Sequence, residues 1–146
     1  MNDQVVARPC WTVLTEKAED KIAAIHNEMS LARKRLESLQ SSEKRVQVMY
    51  DEYRDKTNTE GNQSLGMSEA MNQRQFMSQL LTLMQRVKID IQHTENLMIS
   101  IKERLLEAER ERIKMQTLAD QNASAVQKVL NKREQKKMDD LGVMQF

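Results

Sequence analysis

The chain has 146 residues, of which 3 are Gly, 1 is Pro, 3% are aromatic and 31% are charged. A compact globular domain needs Gly and Pro for its turns and bulky residues for its core, so this composition excludes an ordinary globule. The remaining Leu, Ile, Met, Ala, Glu, Lys, Arg and Gln favour long, mostly exposed helices. The net charge of +1 implies no bulk electrostatic partner.

Glycine and proline divide the chain into few elements. Pro9 is the only proline, and the three glycines are Gly61, Gly66 and Gly142. We expect Ser68 and Glu69 to begin the second helix and Gly142 to end it. The sequence therefore predicts one coiled-coil rod over 1–146, made of an N-terminal tail (1–11), helix one (12–56), a turn (57–66), helix two (67–141) and a C-terminal tail (142–146).

Both helices carry a seven-residue apolar repeat. In helix one the a positions are Thr15, Ile22, Met29, Leu36, Glu43 and Tyr50, and the d positions are Ala18, Ile25, Ala32, Leu39, Val46 and Tyr53. In helix two the a positions run from Ala70 through Met77, Met84, Ile91, Met98, Leu105, Arg112 and Ala119 to Val126, and the d positions from Leu80 through Val87, Thr94, Ile101, Ala108, Met115 and Asn122 to Val129. This repeat predicts an all-α fold, in which two long helices form an antiparallel coiled-coil hairpin.

Helix two is longer than helix one, so the hairpin should have an overhang. If the chain reverses near Asn62, Thr12 lies opposite about residue 112, because both helices rise by the same ~1.5 Å per residue. The remaining residues of helix two, roughly 30, would then extend beyond helix one without a partner. Arg112 would mark the position where the seam loses its partner. Residues 110–137 hold eight basic and three acidic side chains, so the overhang is the basic part of the chain.

The sequence offers no chemistry typical of an enzyme. His26 and His93 have no metal-ligand spacing, Cys10 has no evident base partner, and no glycine-rich phosphate loop exists. A narrow helical hairpin also lacks a cleft that could desolvate an acid or base. We therefore expect no catalysis, no cofactor, no metal and no small-molecule substrate.

The basic stretches RERIK (110–114) and KREQKK (132–137) raise the question of nucleic acid. They contain no aromatic residue on which a base could stack, so a solvated helix face is the favoured interpretation. The single cysteine, the lack of a ~20-residue apolar run and the lack of a signal-peptide pattern predict a cytosolic protein.

A wider apolar face follows i, i+4, i+7 and i+11 in helix two, at Phe76, Leu80, Leu83 and Val87. A two-helix coil buries only the a/d stripe, so this face is a candidate docking surface, unless a third helix or a second copy covers it. The chain also holds 11 Met, which suit either core filling or an adaptable partner surface.

Two stretches carry a resemblance to a known family. They are DEYRDKTNTEGNQSLGMSEAMNQRQF (51–76), with a Tyr-Arg before an Asn- and Gly-bearing turn and a Gln-Phe after it, and NKREQKKMDDLG (131–142), a basic terminus with Met and Asp. The chain resembles, almost end to end, the FliJ proteins of flagellar type III export. The resemblance implies a two-helix antiparallel coiled coil similar to the gamma-subunit stalk of rotary ATPases.

The resemblance also implies partners. They are the hexameric export ATPase FliI, the cytoplasmic domain of the export gate FlhA, the substrate chaperones that the protein would escort, and the ATPase regulator FliH. It implies a cytoplasmic protein peripherally associated with the inner membrane at the flagellar basal body. For the ATPase ring, whose pore we expect to be acidic, the contact residues would be Lys128, Lys132, Arg133, Lys136, Lys137, Met138 and Asp139. For the gate, the matching positions are Ser42, Val46, Met49, Tyr53, Phe76, Leu80, Leu83 and Val87.

Some gate positions are apolar or Met where the family is often polar or aromatic, notably Met49 and Val87. Val46, Tyr53, Leu80 and Val87 also fall on the seam, so either they are core or the repeat shifts there. Two alternatives stay open for function. One is the equivalent stalk protein of a virulence type III secretion system, and the other is a generic coiled-coil adaptor or nucleic-acid-binding rod.

Overall fold

The computed structural model describes residues 9–60 and 66–144. It contains two helices, α1 (Pro9–Glu60) and α2 (Met67–Met144). The helices pack against each other, which confirms the predicted all-α helical hairpin. Residues 61–65 lie outside the described residues, and with them Gly61, Asn62 and half of the expected turn; so does most of the expected N-terminal tail.

Both helices extend beyond the ends expected from sequence. α1 begins at Pro9, because the fixed φ of proline suits the first helical position and its missing N–H needs no partner there. α2 continues through Gly142 to Met144, so this glycine does not end the helix. No residue of the described backbone has a positive φ, so Gly142 does not form a left-handed cap either.

The start of α2 is capped by Gly66 rather than by Ser68. The carbonyl oxygen of Gly66 accepts hydrogen bonds from the backbone N–H groups of Glu69 and Ala70, both at 3.1 Å. Ser68 therefore lies inside the first turn, where its side chain cannot act as the cap. Glu69 is the acidic residue of that turn, as expected, and its charge favours the positive end of the helix macrodipole.

The chain divides into two compact units, and Asn27–Lys102 is the more deeply packed. The buried side chains among the described residues of this unit are Met29, Ala32, Val46, Leu80, Met84, Val87, Thr94 and Ile101. Each occupies an a or d position of the predicted repeat, so the register holds through the turn-proximal part of the hairpin. Thr94 is buried without penalty because its hydroxyl donates to the carbonyl oxygen of Asp90 at 2.8 Å.

The second unit consists of Met1–His26 and Glu103–Phe146. In its described part only Ile25 and Ala108 are buried. The other seam positions up to Val126 are half-buried, and they are Thr15, Ala18, Ile22, Leu105, Arg112, Met115, Ala119, Asn122 and Val126 itself. The side-chain oxygen of Asn122 is buried and has no hydrogen-bond partner among the described residues. This end of the hairpin is therefore loosely packed.

The pairing within this unit continues past Arg112, contrary to the sequence expectation. Lys21 Nζ lies 3.6 Å from the Glu111 carboxylate, so residue 21, and not residue 12, lies opposite this part of α2. Partial burial continues along α2 to Val126, and every residue from Gln127 to Leu141 is exposed. The overhang is shorter than expected because α1 starts at Pro9 and because the two helices pair about two turns further along α2 than a reversal at Asn62 implies.

Candidate contact surfaces

The exposed end of α2, residues 127–144, is the first candidate surface, and we refer to it as the terminal segment. The structure places all seven residues predicted for the ATPase ring on it, and all are exposed: Lys128, Lys132, Arg133, Lys136, Lys137, Met138 and Asp139. The ion pairs found among the described residues involve none of these cations. Their charge is therefore open to an outside partner.

Charged and apolar side chains are mixed around the terminal segment. Lys128, Lys132 and Lys136 follow i, i+4, i+8, which places them on one side of the helix. Leu130 and Leu141 lie about half a turn away and are exposed, and Lys137 lies on that same side. The segment therefore carries charge around its circumference and offers both charge and apolar area to a partner.

The second candidate surface lies near the turn, within the unit Asn27–Lys102. It consists of Met49, Tyr53, Phe76 and Leu83, and we refer to it as the shoulder. The rings of Tyr53 and Phe76 are tilted by 44° with centroids 4.6 Å apart, so they link α1 to α2. Met49 and Leu83 are 43% and 45% exposed. The shoulder therefore combines a fixed aromatic pair with two accessible apolar side chains.

Val46 and Leu80, also predicted for the gate contact, lie beneath the shoulder. They are only 7% and 4% exposed, and with Met84 they form a buried cluster against which Tyr50 and Phe76 pack. Val87 is buried as well. These residues hold the shoulder in place, and their side chains are not accessible to a partner in this conformation.

The turn-proximal end of the shoulder is fixed by Thr57. Its hydroxyl donates to the backbone oxygen of Tyr53 at 2.7 Å, and it also lies 3.5 Å from Gln73 Oε1. The same hydroxyl is 4.0 Å from the sulfur of Met77. These contacts join the last turns of α1 to the first turns of α2, so the aromatic pair sits on a defined pairing of the two helices.

The methionines divide between core and surface. Met84 is buried and Met77, Met98 and Met115 are half-buried, which fits the core-filling interpretation. Met49, Met67 and Met71 are exposed, which fits the adaptable-surface interpretation. Both interpretations therefore apply, each to a different set of residues.

One exposed apolar row was not anticipated from the sequence. Ile99, Leu106 and Ile113 are each 56% exposed. They recur every seven residues on α2, at the b position of the repeat, and we refer to them as the b row. The spacing alone would have revealed it, because an apolar residue at a third heptad position is unexpected for a two-helix coil whose seam uses only a and d.

The residues considered for catalysis or metal binding are scattered on the surface. Cys10, His26 and His93 are all exposed. No group of three or more potential metal ligands occurs among residues 9–60 and 66–144. Two surface depressions, one on α2 around Leu83 and Ile89 and one on α1 around Gln40 and Gln47, are open grooves rather than enclosed clefts.

Comparison with protein-family models shows what kind of protein carries these surfaces. The model of the flagellar FliJ protein matches residues 12–146, which is nearly the whole chain. The chain belongs to the FliJ family. Membership indicates a component of flagellar protein export, and the family is non-enzymatic. No curated protein and no solved structure was found to match the chain.

The FliJ match covers both candidate surfaces, since the terminal segment and the shoulder both lie within residues 12–146. Neither helix, over the residues that the structure describes, contains a stretch apolar and long enough to cross a bilayer.

Proposed function

We propose that the protein is the stalk and escort component of a flagellar export apparatus. In this proposal the terminal segment enters the hexameric ring of the export ATPase FliI and promotes its assembly and coupling. The shoulder meets the cytoplasmic domain of the export gate FlhA. The protein would act in the cytoplasm at the inner-membrane face of the flagellar basal body, with substrate chaperones and FliH as further partners.

The uncovered terminal segment is the observation that carries the ring contact. A stretch of helix exposed on all sides can be surrounded by a ring, whereas a helix packed on a partner presents only part of its circumference. Its lysines and arginine would be attracted by an acidic pore over several ångströms without a single fixed geometry. Leu130, Met138 and Leu141 would add apolar contact once water is excluded.

The ring contact is tested with the cognate ATPase. Wild-type protein should stimulate ATP hydrolysis, and stimulation should weaken as salt rises, because screening shortens the reach of exposed charges. Exchanging Lys132, Arg133, Lys136 and Lys137 for Glu should raise the concentration needed for half-maximal stimulation by at least about tenfold. Circular dichroism should show the same helicity as wild type.

A matched control carries four charge reversals elsewhere. Arg33, Lys34, Lys44 and Arg45 are exposed on α1, so changing them to Glu alters net charge equally. This control should stimulate like wild type. Equal loss in both variants, or no loss in either, would show that the terminal segment is not the contact.

The gate contact rests on the shoulder's accessible apolar area. Met49→Glu and Leu83→Glu alter half-exposed side chains, so they should abolish binding to the gate domain without unfolding the hairpin. Leu31→Glu is the control, because Leu31 is an exposed apolar residue in the same unit but outside the shoulder. Isothermal titration with the gate domain measures both. Retained binding in the two shoulder variants would contradict the proposal.

The escort role is tested separately by pull-down of purified substrate chaperones with the full-length chain. Capture of a chaperone free of its cargo supports the role, and capture of none would remove it. The virulence-type alternative is tested by offering the ATPase of such a system in the same stimulation assay. The FliJ-family match favours the flagellar client.

A further inference from the structure

Within the unit Asn27–Lys102, the side of α2 that points away from α1 carries no charge over about seven turns. The f positions of this stretch are Gln75, Thr82, Ile89 and Asn96, and the b positions are Met71, Ser78, Gln85 and Gln92. We refer to these eight residues as the outer face. All of them are exposed, because the b and f positions lie about 150° around the helix from the a/d seam.

The corresponding positions of α1 are mostly charged. Between residues 30 and 55, the b and f positions of α1 include Lys34, Glu37, Lys44, Asp51 and Asp55. The solvent side of a helix in this unit therefore does not lack charge as a rule. Depletion of charged residues is typical of the centre of a protein interface, so the composition of the outer face favours a surface that another helix covers.

The outer face also has a shape that suits a partner. Its small residues Ser78 and Thr82 line an open depression on α2, together with Ile89. The Thr82 hydroxyl donates to the backbone oxygen of Ser78 at 3.0 Å, and the Gln92 amide donates to the side-chain oxygen of Asn96 at 3.3 Å. Groups that already have these hydrogen bonds lose less when water is removed, so covering the face costs little.

The outer face is complementary to itself in the antiparallel direction. When two antiparallel helices pack as a coiled coil, an f residue of one copy lies opposite a b residue of the other. With a two-fold axis between Thr82 and Gln85, the second copy's Ile89 lies opposite Ser78. A large apolar side chain then fills the depression beside a small residue, and the axis repeats this contact.

The residues on the flanks of the outer face agree with the same register. At the e position, Arg74 lies beside the second copy's Glu95, and the axis repeats this ion pair. Leu81 lies beside the second copy's Lys88, whose hydrocarbon stem covers it. The opposite flank, at the c position, brings no like charges together. The ion pairs found among the described residues involve neither Arg74 nor Glu95, so both charges are open to a second copy.

We propose that the outer face is a homodimer interface, formed by two antiparallel copies of α2 about a two-fold axis between Thr82 and Gln85. An isologous contact of this kind closes on itself and stops at two copies. Antiparallel pairing is favoured because a parallel pair would keep Arg74 about 31 Å from the second copy's Glu95. Each copy contributes few apolar side chains, so the dimer is weak and concentration-dependent. The outer face includes no residue of the terminal segment or the shoulder.

Sedimentation equilibrium of the full chain, from low micromolar to several hundred micromolar, tests the dimer. Wild type should shift from monomer towards dimer and no further. Ile89→Glu should weaken the dimer by more than about tenfold, because it places a carboxylate in each depression, while circular dichroism shows unchanged helicity. Leu31→Glu is the control, since Leu31 and Ile89 are 59% and 57% exposed, and it should dimerise like wild type. A wild type that stays monomeric throughout overturns the proposal and leaves the outer face to a helix of another protein.

A charge exchange tests the antiparallel register. Arg74→Glu alone should weaken the dimer about tenfold, since it places a carboxylate against the second copy's Glu95 twice. Adding Glu95→Arg should restore the wild-type dissociation constant. A single variant that dimerises like wild type overturns the register, and so does a double variant that dimerises no better than the single one.

Cross-linking gives an independent readout in a Cys10→Ser background. In the proposed register, residue 78 lies opposite residue 89 of the second copy and about 16 Å from the second copy's residue 78. Ser78→Cys alone and Ile89→Cys alone should therefore form no disulfide dimer, whereas a mixture of the two should form one on mild oxidation. A disulfide dimer from Ser78→Cys alone indicates parallel pairing and contradicts the proposal, as does a mixture that does not cross-link.

Discussion

The two units of the hairpin use one heptad pattern but reach different degrees of burial. The described part of Asn27–Lys102 buries eight seam side chains, whereas that of the other unit buries only Ile25 and Ala108. The difference follows from side-chain type, because the second unit places Thr15, Ala18 and Ala119 on the seam, and also Arg112 and Asn122. Small or polar residues remove little apolar area from water, so the pattern fixes the register there but contributes little free energy.

The largest expected effect comes from truncating one leucine in each unit. Leu80→Ala removes a buried side chain from the Val46–Met84 cluster and should lower the free energy of unfolding by about 3 kcal/mol. Leu118→Ala alters a half-buried side chain and should cost about 1 kcal/mol. Urea denaturation followed by circular dichroism measures both. Equal losses would show that the two units are equally packed.

The less tightly packed unit should become more stable when the buried, unpaired side-chain oxygen of Asn122 is removed. Asn122→Leu replaces a buried, unpaired polar group at a d position with an apolar one and should stabilise the pairing by about 1 kcal/mol. The measurement is amide hydrogen exchange of residues 10–22, which should slow about fivefold. Asn131→Leu changes an exposed position and serves as the control. Faster exchange in Asn122→Leu would mean that the amide has a partner in solution.

A smaller and local effect is expected in the terminal segment. A Cβ at Gly142 would meet nothing within 4 Å, so Gly142→Ala should stabilise this part of the helix by about 0.5–1 kcal/mol. Hydrogen exchange of residues 136–144 should slow, while the urea midpoint stays unchanged. Gly66→Ala should bring no such gain, because Gly66 caps α2 and alanine is a poorer cap. If hydrogen exchange of residues 136–144 is the same in Gly142→Ala as in wild type, the end of α2 is not helical in solution.

The smallest effect concerns the ion pair of the loose unit. Lys21 and Glu111 lie 3.6 Å apart with side chains 61% and 54% exposed. A double-mutant cycle with alanine should give a coupling of about 0.5 kcal/mol, which salt should abolish. A coupling several times larger would mean that charge, rather than apolar burial, holds this end of the hairpin together.

The seam could be predicted from sequence because its period is a local property. Every buried residue of the described chain, from Ile25 to Ala108, falls on a predicted a or d position. Thr94 is a polar residue at a d position and is nevertheless buried, since a threonine hydroxyl can bond its own helix backbone. The pattern also placed Val46 and Leu80 in the core, although the family resemblance suggested a gate contact for them.

The ends and the offset between the helices could not be predicted in the same way. The offset depends on how the chain reverses direction, and no heptad repeat specifies that geometry. The start of α1 could have been predicted from Pro9, because proline favours the first turn of a helix and α1 begins at this residue. Gly142 was misinterpreted because glycine often ends helices but is only moderately unfavourable within them.

The terminal segment has a consequence for the kinetics of any contact that it makes. A helix end with no tertiary partner keeps its order only through its own propensity, so it opens more readily than the packed part of α2. Ordering it on a partner subtracts free energy from the complex and so limits its affinity. A contact of modest affinity dissociates quickly, so this end of the molecule suits repeated, transient binding better than a permanent contact.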